Sequence, residues 1–134
     1  MTERKYSKYI TTDLDTSRFS PDQNAEYAKW ATRVLMLDDN VTEGAMKFSC
    51  SWYFGAPDKP LEAHTHDYNE LLGFFGCDPE NPHDLGGEIE FWLEDEQYFI
   101  DKSCLIFIPK GMKHCPLSTR RIDRPFFHFG VVTE

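Results

Sequence analysis

The stretch His64-Thr65-His66-Asp67-Tyr68-Asn69-Glu70 sets two imidazoles and a carboxylate at matching parity. Histidines one residue apart cannot share a helix face, where neighbours are three or four apart. On a strand they do share a face, because side chains alternate with period two. If the chain stays extended, or turns tightly at Asp67-Tyr68-Asn69, then His64, His66 and Glu70 can all point into one space. Two imidazoles and a carboxylate on a rigid support are a usual ligand set for a first-row divalent ion. Downstream, Pro109-Lys110-Gly111-Met112-Lys113-His114 carries His114 on a Pro-X-Gly turn, where it can supply a fourth ligand. Neutral imidazoles and one carboxylate would leave the ion with a net charge of about +1, and an octahedral ion would keep two positions for water or substrate. Such a centre can polarise a carbonyl, activate a bound water or bind a dianionic enolate, and with iron it can also bind dioxygen. Sequence does not choose among these.

Other residues can act beside that centre. His128 shares its parity with Phe126 and Gly130, while Phe127, Phe129 and Val131 have the other. If the Phe127 face packs between layers, His128 can point inward as an acid–base group. Otherwise it is a histidine at a rim or hydrogen-bonded in the core. Glu88 and Glu90 alternate with Ile89, Phe91 and Leu93. The plain reading of both is a solvent-facing carboxylate; if their face is interior, one of them, with Glu90 the residue to inspect, is a general base or a substrate contact. Arg120, Arg121 and Arg124 can grip a substrate carboxylate or pair with local acids such as Asp123. Cys115 follows His114 directly, and on an extended chain it faces the other way.

These groups need strands to hold them. Residues 1–19 read as an arm around Tyr6, Tyr9 and Ile10, with a short strand near residues 8–10. Ser20-Pro21-Asp22-Gln23 starts a short helix through Trp30: Ser caps, Pro suits the first turn and Gln completes a capping box. From Thr32 the pattern is that of strands, over residues 33–37, 45–54, 61–66, 70–75, 88–93, 97–100, 104–108 and 126–132. The stretch 108–111 suits a type I turn. Residues 77–87 form a long loop, read as a lid bordering the site or a dimer contact. Many short strands joined by turns predict an all-β sandwich or barrel.

His64, His66 and Glu70 fit H-X-H-X3-E, and Pro109, Gly111 and His114 fit P-X-G-X2-H. Together these resemble the two motifs of the cupin superfamily. Departures fall at turns and edges: Asp58 and Ser103 stand where the motifs open with glycine, Gly76 falls one residue early, and Ser118 replaces an asparagine. The resemblance implies a small jelly roll, a double-stranded β-helix barrel, with one metal ion inside it. It maps the ligands onto His64, His66, Glu70 and His114, with iron, manganese, nickel or zinc as the ion. It also implies a homodimer.

Composition bounds the rest. At 134 residues the chain reads as one domain, with residues 1–31 as arm and short helix and 32–134 as barrel. Eleven Phe, six Tyr and three Trp support a core. A net charge of −9 argues against nucleic acid and against an anionic membrane surface. No apolar run approaches the ~20 residues of a spanning helix, and the charged N-terminus lacks a signal-peptide core, so a cytoplasmic location is expected. Cys50, Cys77, Cys104 and Cys115 show no pairing pattern and read as free thiols. The leading reading is a metalloenzyme of dioxygenase, isomerase or lyase type, acting on a small carboxylate or keto compound. The alternative is a non-catalytic binding or sensing module that uses the metal as an anchor.

Overall fold

The computed structural model describes residues 4–133, so the extreme ends of the arm and of the barrel segment lie outside the described residues. A 3-10 turn (Ser7–Tyr9) replaces the expected strand near residues 8–10. Helix α1 (Pro21–Ala28) follows, capped by Ser20, whose Oγ accepts from Gln23 N while the Gln23 side chain accepts from Ser20 N. Then come β1 (Ala31–Leu37), β2 (Lys47–Tyr53), β3 (Asn69–Phe75), β4 (Asp84–Leu93), β5 (Glu96–Lys102), β6 (Cys104–Ile108), β7 (His114–Ile122) and β8 (Phe126–Thr133). They form two antiparallel sheets, β1-β2-β8-β3-β6 and β5-β4-β7. The expected jelly-roll barrel is the fold.

Register decides which residues face inward. Tyr53 pairs with Phe126, Ser51 with His128 and His128 with Phe74. Ser49, Gly130, Leu72 and Ile106 form the next inward row, and Lys47, Val132, Glu70 and Ile108 the one after. The inner face thus grades from aromatic at Tyr53 and Phe126 to charged at Lys47 and Glu70. Phe74, Ile106 and Ile108 from this sheet meet Leu85, Ile89 and Phe91 of β4 to make the core. Tyr27 and Trp30 of the helical segment close the aromatic end: Tyr27 Oη donates to Ser51 Oγ at 2.6 Å, and Trp30 meets the Tyr53 ring edge-on at 5.1 Å.

Four further expectations change. Residues 61–66 form no strand; only His64 is bridged, to His114. β7 arises where no strand was read, its apolar pattern broken by Pro116, Ser118, Thr119 and the arginines. The turn before it starts one residue later than expected: Met112 N donates to Pro109 O, and Gly111 sits at φ +86°, a conformation that glycine alone adopts cheaply. The segment read as a lid lies at the far end of the barrel. It joins the Phe75 end of β3 to the start of β4, whereas Glu70 and His114 stand at the opposite ends, where β3 meets Ile108 and β4 meets β7 at Leu93. Ser103 fastens it there, donating to Pro82 O and accepting from Gly76 N.

Candidate metal centre

Backbone contacts bring the two motif segments together. His64 and His114 exchange paired N–H···O bonds of 3.0 Å, Gly111 N donates to His66 O at 2.9 Å, and Lys110 N donates to Asn69 Oδ1 at 2.9 Å. Directly opposed residues of an antiparallel pair present side chains on one face. The His64 and His114 rings accordingly meet at 4.3 Å, with His66 4.5 Å from His64 and 5.0 Å from His114. Glu70 enters from the first turn of β3, with His66 Nε2 at 3.8 Å and His114 Nε2 at 3.9 Å from its two oxygens.

The hydrogen bonds assign the tautomers. His64 Nδ1 lies 2.7 Å from Glu62 O, and His114 Nδ1 lies 3.0 Å from Met112 O. A carbonyl oxygen only accepts, so each Nδ1 carries a proton, and in the neutral ring each Nε2 presents a lone pair. This is the usual outer support of a metal-binding imidazole. His114 is 1% exposed, and its Nε2 is buried with no hydrogen-bond partner. A buried lone pair left unmatched costs about 1–3 kcal/mol. Its separation from Glu70 is too long for a hydrogen bond. It is shorter than the ~4.2 Å between two ligands across an ion at about 2.1 Å. The residues therefore fit an ion bound by His66, Glu70 and His114. Burial holds the His66 imidazole below its ordinary value, with Glu70 opposing that shift, so His66 stays neutral and able to ligate near pH 7.

Not every expected ligand stands in the same group. His66, Glu70 and His114 bring their donor atoms within 4.8 Å of one another, while His64 does so with His114 and Cys115. Cys115 is the residue that sequence reasoning turned away. Its φ of +76° breaks the strand alternation that the parity argument assumed. Burial, with a smaller contribution from the Glu70 charge, pushes its thiol up to about 11. Nothing in the residue types of 113–117 announces a left-handed non-glycine at that position.

A cavity of about 230 Å³ adjoins the cluster on the inner face, lined by Glu70, Tyr68, Leu72, Lys47, Ser49 and His128 among others. Gly130 gives it room, standing between Ser49 and Leu72 with no side chain. A wider cleft of about 760 Å³ shares Lys47, Tyr68 and Val132 with it. His128 lies on the inward face, because it is the Phe126 side of β8 that is buried, while Phe127 lies on the outward face. Its ring stacks on Phe74 at 4.4 Å, and its Nδ1–H donates to Gly73 O at 2.9 Å, leaving Nε2 as an acceptor. Burial pulls its pKa down to about 4, so it is neutral at pH 7.

Glu90 does not join the cluster. It stands on the face of β4 opposite the buried Ile89 and Phe91, 3.5 Å from Arg120 and hydrogen-bonded by Gln97. Arg120 also pairs with Glu88, Arg121 with Asp123 and Arg124 with Asp84, so the basic run pairs locally, away from the cavity.

No family model matches the chain, and no curated protein matches it in sequence. Solved structures match it in fold. The cupin domain of Cnp3 from Schizosaccharomyces pombe has a TM-score of 0.51 and 10% identity over 78% of this chain; the match covers 61% of that one, less than two thirds of its length. A predicted oxalate decarboxylase from Thermotoga maritima has a TM-score of 0.51 and 12% identity over 76% of each chain. The TT1209 protein of Thermus thermophilus has a TM-score of 0.50 and 12% identity over 92% of this chain and 97% of that one. At such identities the likeness is one of fold alone.

Proposed function

This chain is a cupin by fold, and we propose that it is a metal-dependent protein that acts on a small carboxylate- or keto-bearing molecule in the cavity between Glu70 and His128. The observation that carries the reading is His114 Nε2, a buried lone pair facing Glu70 with no donor to meet it. His64, His66, Glu70 and His114 would hold one divalent ion, iron, manganese, nickel or zinc. When bound, that ion would supply Lewis-acid chemistry or a route to oxygen.

The chain's own groups define what else can happen. The cavity beside Glu70 is smaller than the ~300–1,000 Å³ usual for drug-sized ligands, so a small molecule fills it. Lys47 stands in one row with Val132 and Glu70, two strands or roughly 10 Å away, where its ammonium can receive a carboxylate. His128 Nε2 can accept a hydrogen bond from a substrate hydroxyl, and can take its proton as that bond breaks. A pKa of about 4 means that it does not rest as an imidazolium acid. Oxygenation, isomerisation and bond cleavage all remain within this chemistry. Glu90, turned to the other face of β4 and held by Arg120 and Gln97, takes no part in this reading.

The test is elemental analysis of the full chain purified without chelator, followed by thermal melts with small carboxylates and keto acids. One equivalent of a first-row ion, and a melting temperature raised by ligand only when that ion is bound, are expected. Less than a tenth of an equivalent of metal after reloading would end the reading. The rival, a binding or sensing module, uses the same cavity. It predicts that a bound keto acid is recovered unchanged from the loaded protein, whereas an enzyme converts it.

The partner in this reading is a second copy of the chain. The outward side of the five-stranded sheet carries Trp52, Phe127 and Phe75 in one row, Cys50, Phe129, Gly73 and Leu105 in the next, and Phe48, Val131, Leu71 and Phe107 in a third. None is charged, on a chain that is 28% charged with a net −9. Two such chains repel each other. A two-fold contact through the uncharged face brings no like charges together and covers apolar surface that water otherwise meets. A cytoplasmic location belongs to the same reading, supported by four free cysteines.

A further inference from the structure

We propose that Cys115 is itself a ligand of this ion, so that the centre has five protein donors. The inference rests on the metal reading above. Cys115 Sγ and one ring nitrogen each of His64 and His114 lie within 4.8 Å of one another, as do the donors of His66, Glu70 and His114. The two groups share His114, whose Nε2 is buried and unpartnered. An ion that bridges the two groups at His114 would meet His66 and Glu70 from one and His64 and the thiol from the other. A nitrogen at about 2.1 Å and a sulfur at about 2.3 Å on opposite sides of an ion are ~4.4 Å apart. Within each group a spread of at most 4.8 Å thus closes with shifts of a few tenths of an ångström.

Packing alone explains a buried cysteine, since a free thiol behaves as a small hydrophobe. It does not explain the backbone. A left-handed φ is uncommon for a residue other than glycine. At Cys115 it rotates the side chain out of the alternation that would set it opposite to His114. Outliers of this kind gather at sites that use them.

Ligation would release the thiol proton to solvent. The thiolate and the Glu70 carboxylate would then offset both charges of a divalent ion, giving a neutral centre in place of one at about +1. A neutral centre polarises substrate less. A thiolate also turns selection toward zinc, iron or cobalt and away from manganese.

Cobalt tests this without recourse to activity. The full chain is loaded with one equivalent of Co(II), and its spectrum is compared with those of Cys115→Ser and of Cys77→Ser, a control for the exposed thiol. A strong near-ultraviolet thiolate-to-cobalt band is expected in the wild type and in Cys77→Ser. It should be lost in Cys115→Ser while the visible bands of bound cobalt persist. X-ray absorption of the zinc-loaded wild type needs no variant and should show one sulfur at about 2.3 Å. A shell of nitrogen and oxygen only, or a band that survives in Cys115→Ser, overturns the proposal and leaves the metal reading standing. Failure to bind either ion in stoichiometric amount overturns both.

Discussion

His114 concentrates the argument for the site. It is fully buried, its Nδ1 proton is committed to Met112 O, and its Nε2 faces a carboxylate too distant to bond. Replacing His66 and His114 together by Ala should abolish stoichiometric metal and leave a folded β protein by circular dichroism. Full metal content in that variant would show that the ion is held elsewhere. His128 gives a separate prediction, about pH. An unfolded histidine takes a proton near pH 6.5, whereas buried His128 resists until about 4. Between those values the unfolded state binds more protons, so native stability falls with falling pH and levels off below about 4, by on the order of 3 kcal/mol. Urea unfolding with chelator present, at pH 7 and pH 4.5, should show this loss in the wild type. In His128→Gln the difference should shrink by roughly 2 kcal/mol. An equal loss in both proteins would mean that His128 titrates normally. The ligand types and their spacing could be read from the chain. The neighbour Cys115 could not, because parity holds only where the backbone is extended, and here it turns left-handed.

Elements explain why short spacing rules found the cluster and missed its support. Cys104–Ile108 reads as an unbroken apolar run and is a strand with those bounds, since a short run ended by Pro109 has few alternatives. The capping box of α1 is equally local, and Ser20 and Gln23 make the contacts their types predict. Residues 61–66 carry strand-like alternation but find no partner except at His64, because pairing is decided by the distant segment around His114. β7 was hidden for the complementary reason: it is held by pairing with β4, which no local pattern of its own discloses. The turn that delivers β7 can be probed at Gly111. A Cβ there meets nothing within 4 Å, so the cost of Gly111→Ala comes from its φ of +86° alone. That cost is roughly 1–2 kcal/mol. It should appear as a fall of a few degrees in melting temperature. Because the same turn aims His114, metal affinity should weaken with it. A variant with unchanged melting and unchanged affinity would show that the turn does not depend on a left-handed residue.

At the scale of the molecule, the two faces of the five-stranded sheet differ from what a monomer needs. An antiparallel sheet with one face on the core ordinarily presents polar side chains on the other. Here the outward face is aromatic and aliphatic, with Leu105 61% and Phe107 57% exposed. Its rings form a flat layer: Phe48, Phe129 and Phe75 stack in series at 5.8 Å, and Phe129 lies so close over Gly73 that a Cβ there would fall 2.2 Å from the ring. Two flat sheet faces can pack about 10 Å apart with side chains interleaved. Burying what Leu105 and Phe107 still expose would contribute about 1–2 kcal/mol each per copy. Sedimentation equilibrium should therefore give twice the chain mass of 15.7 kDa. Leu105→Glu with Phe107→Glu sets two carboxylates per copy on the contact, and should return the mass to that of one chain. Both positions lie on the side of β6 away from Ile106 and Ile108, so metal content and the folded spectrum should be unchanged. A wild-type chain that stays monomeric at high micromolar concentration would exclude the contact. A variant that stays dimeric would place it on another surface.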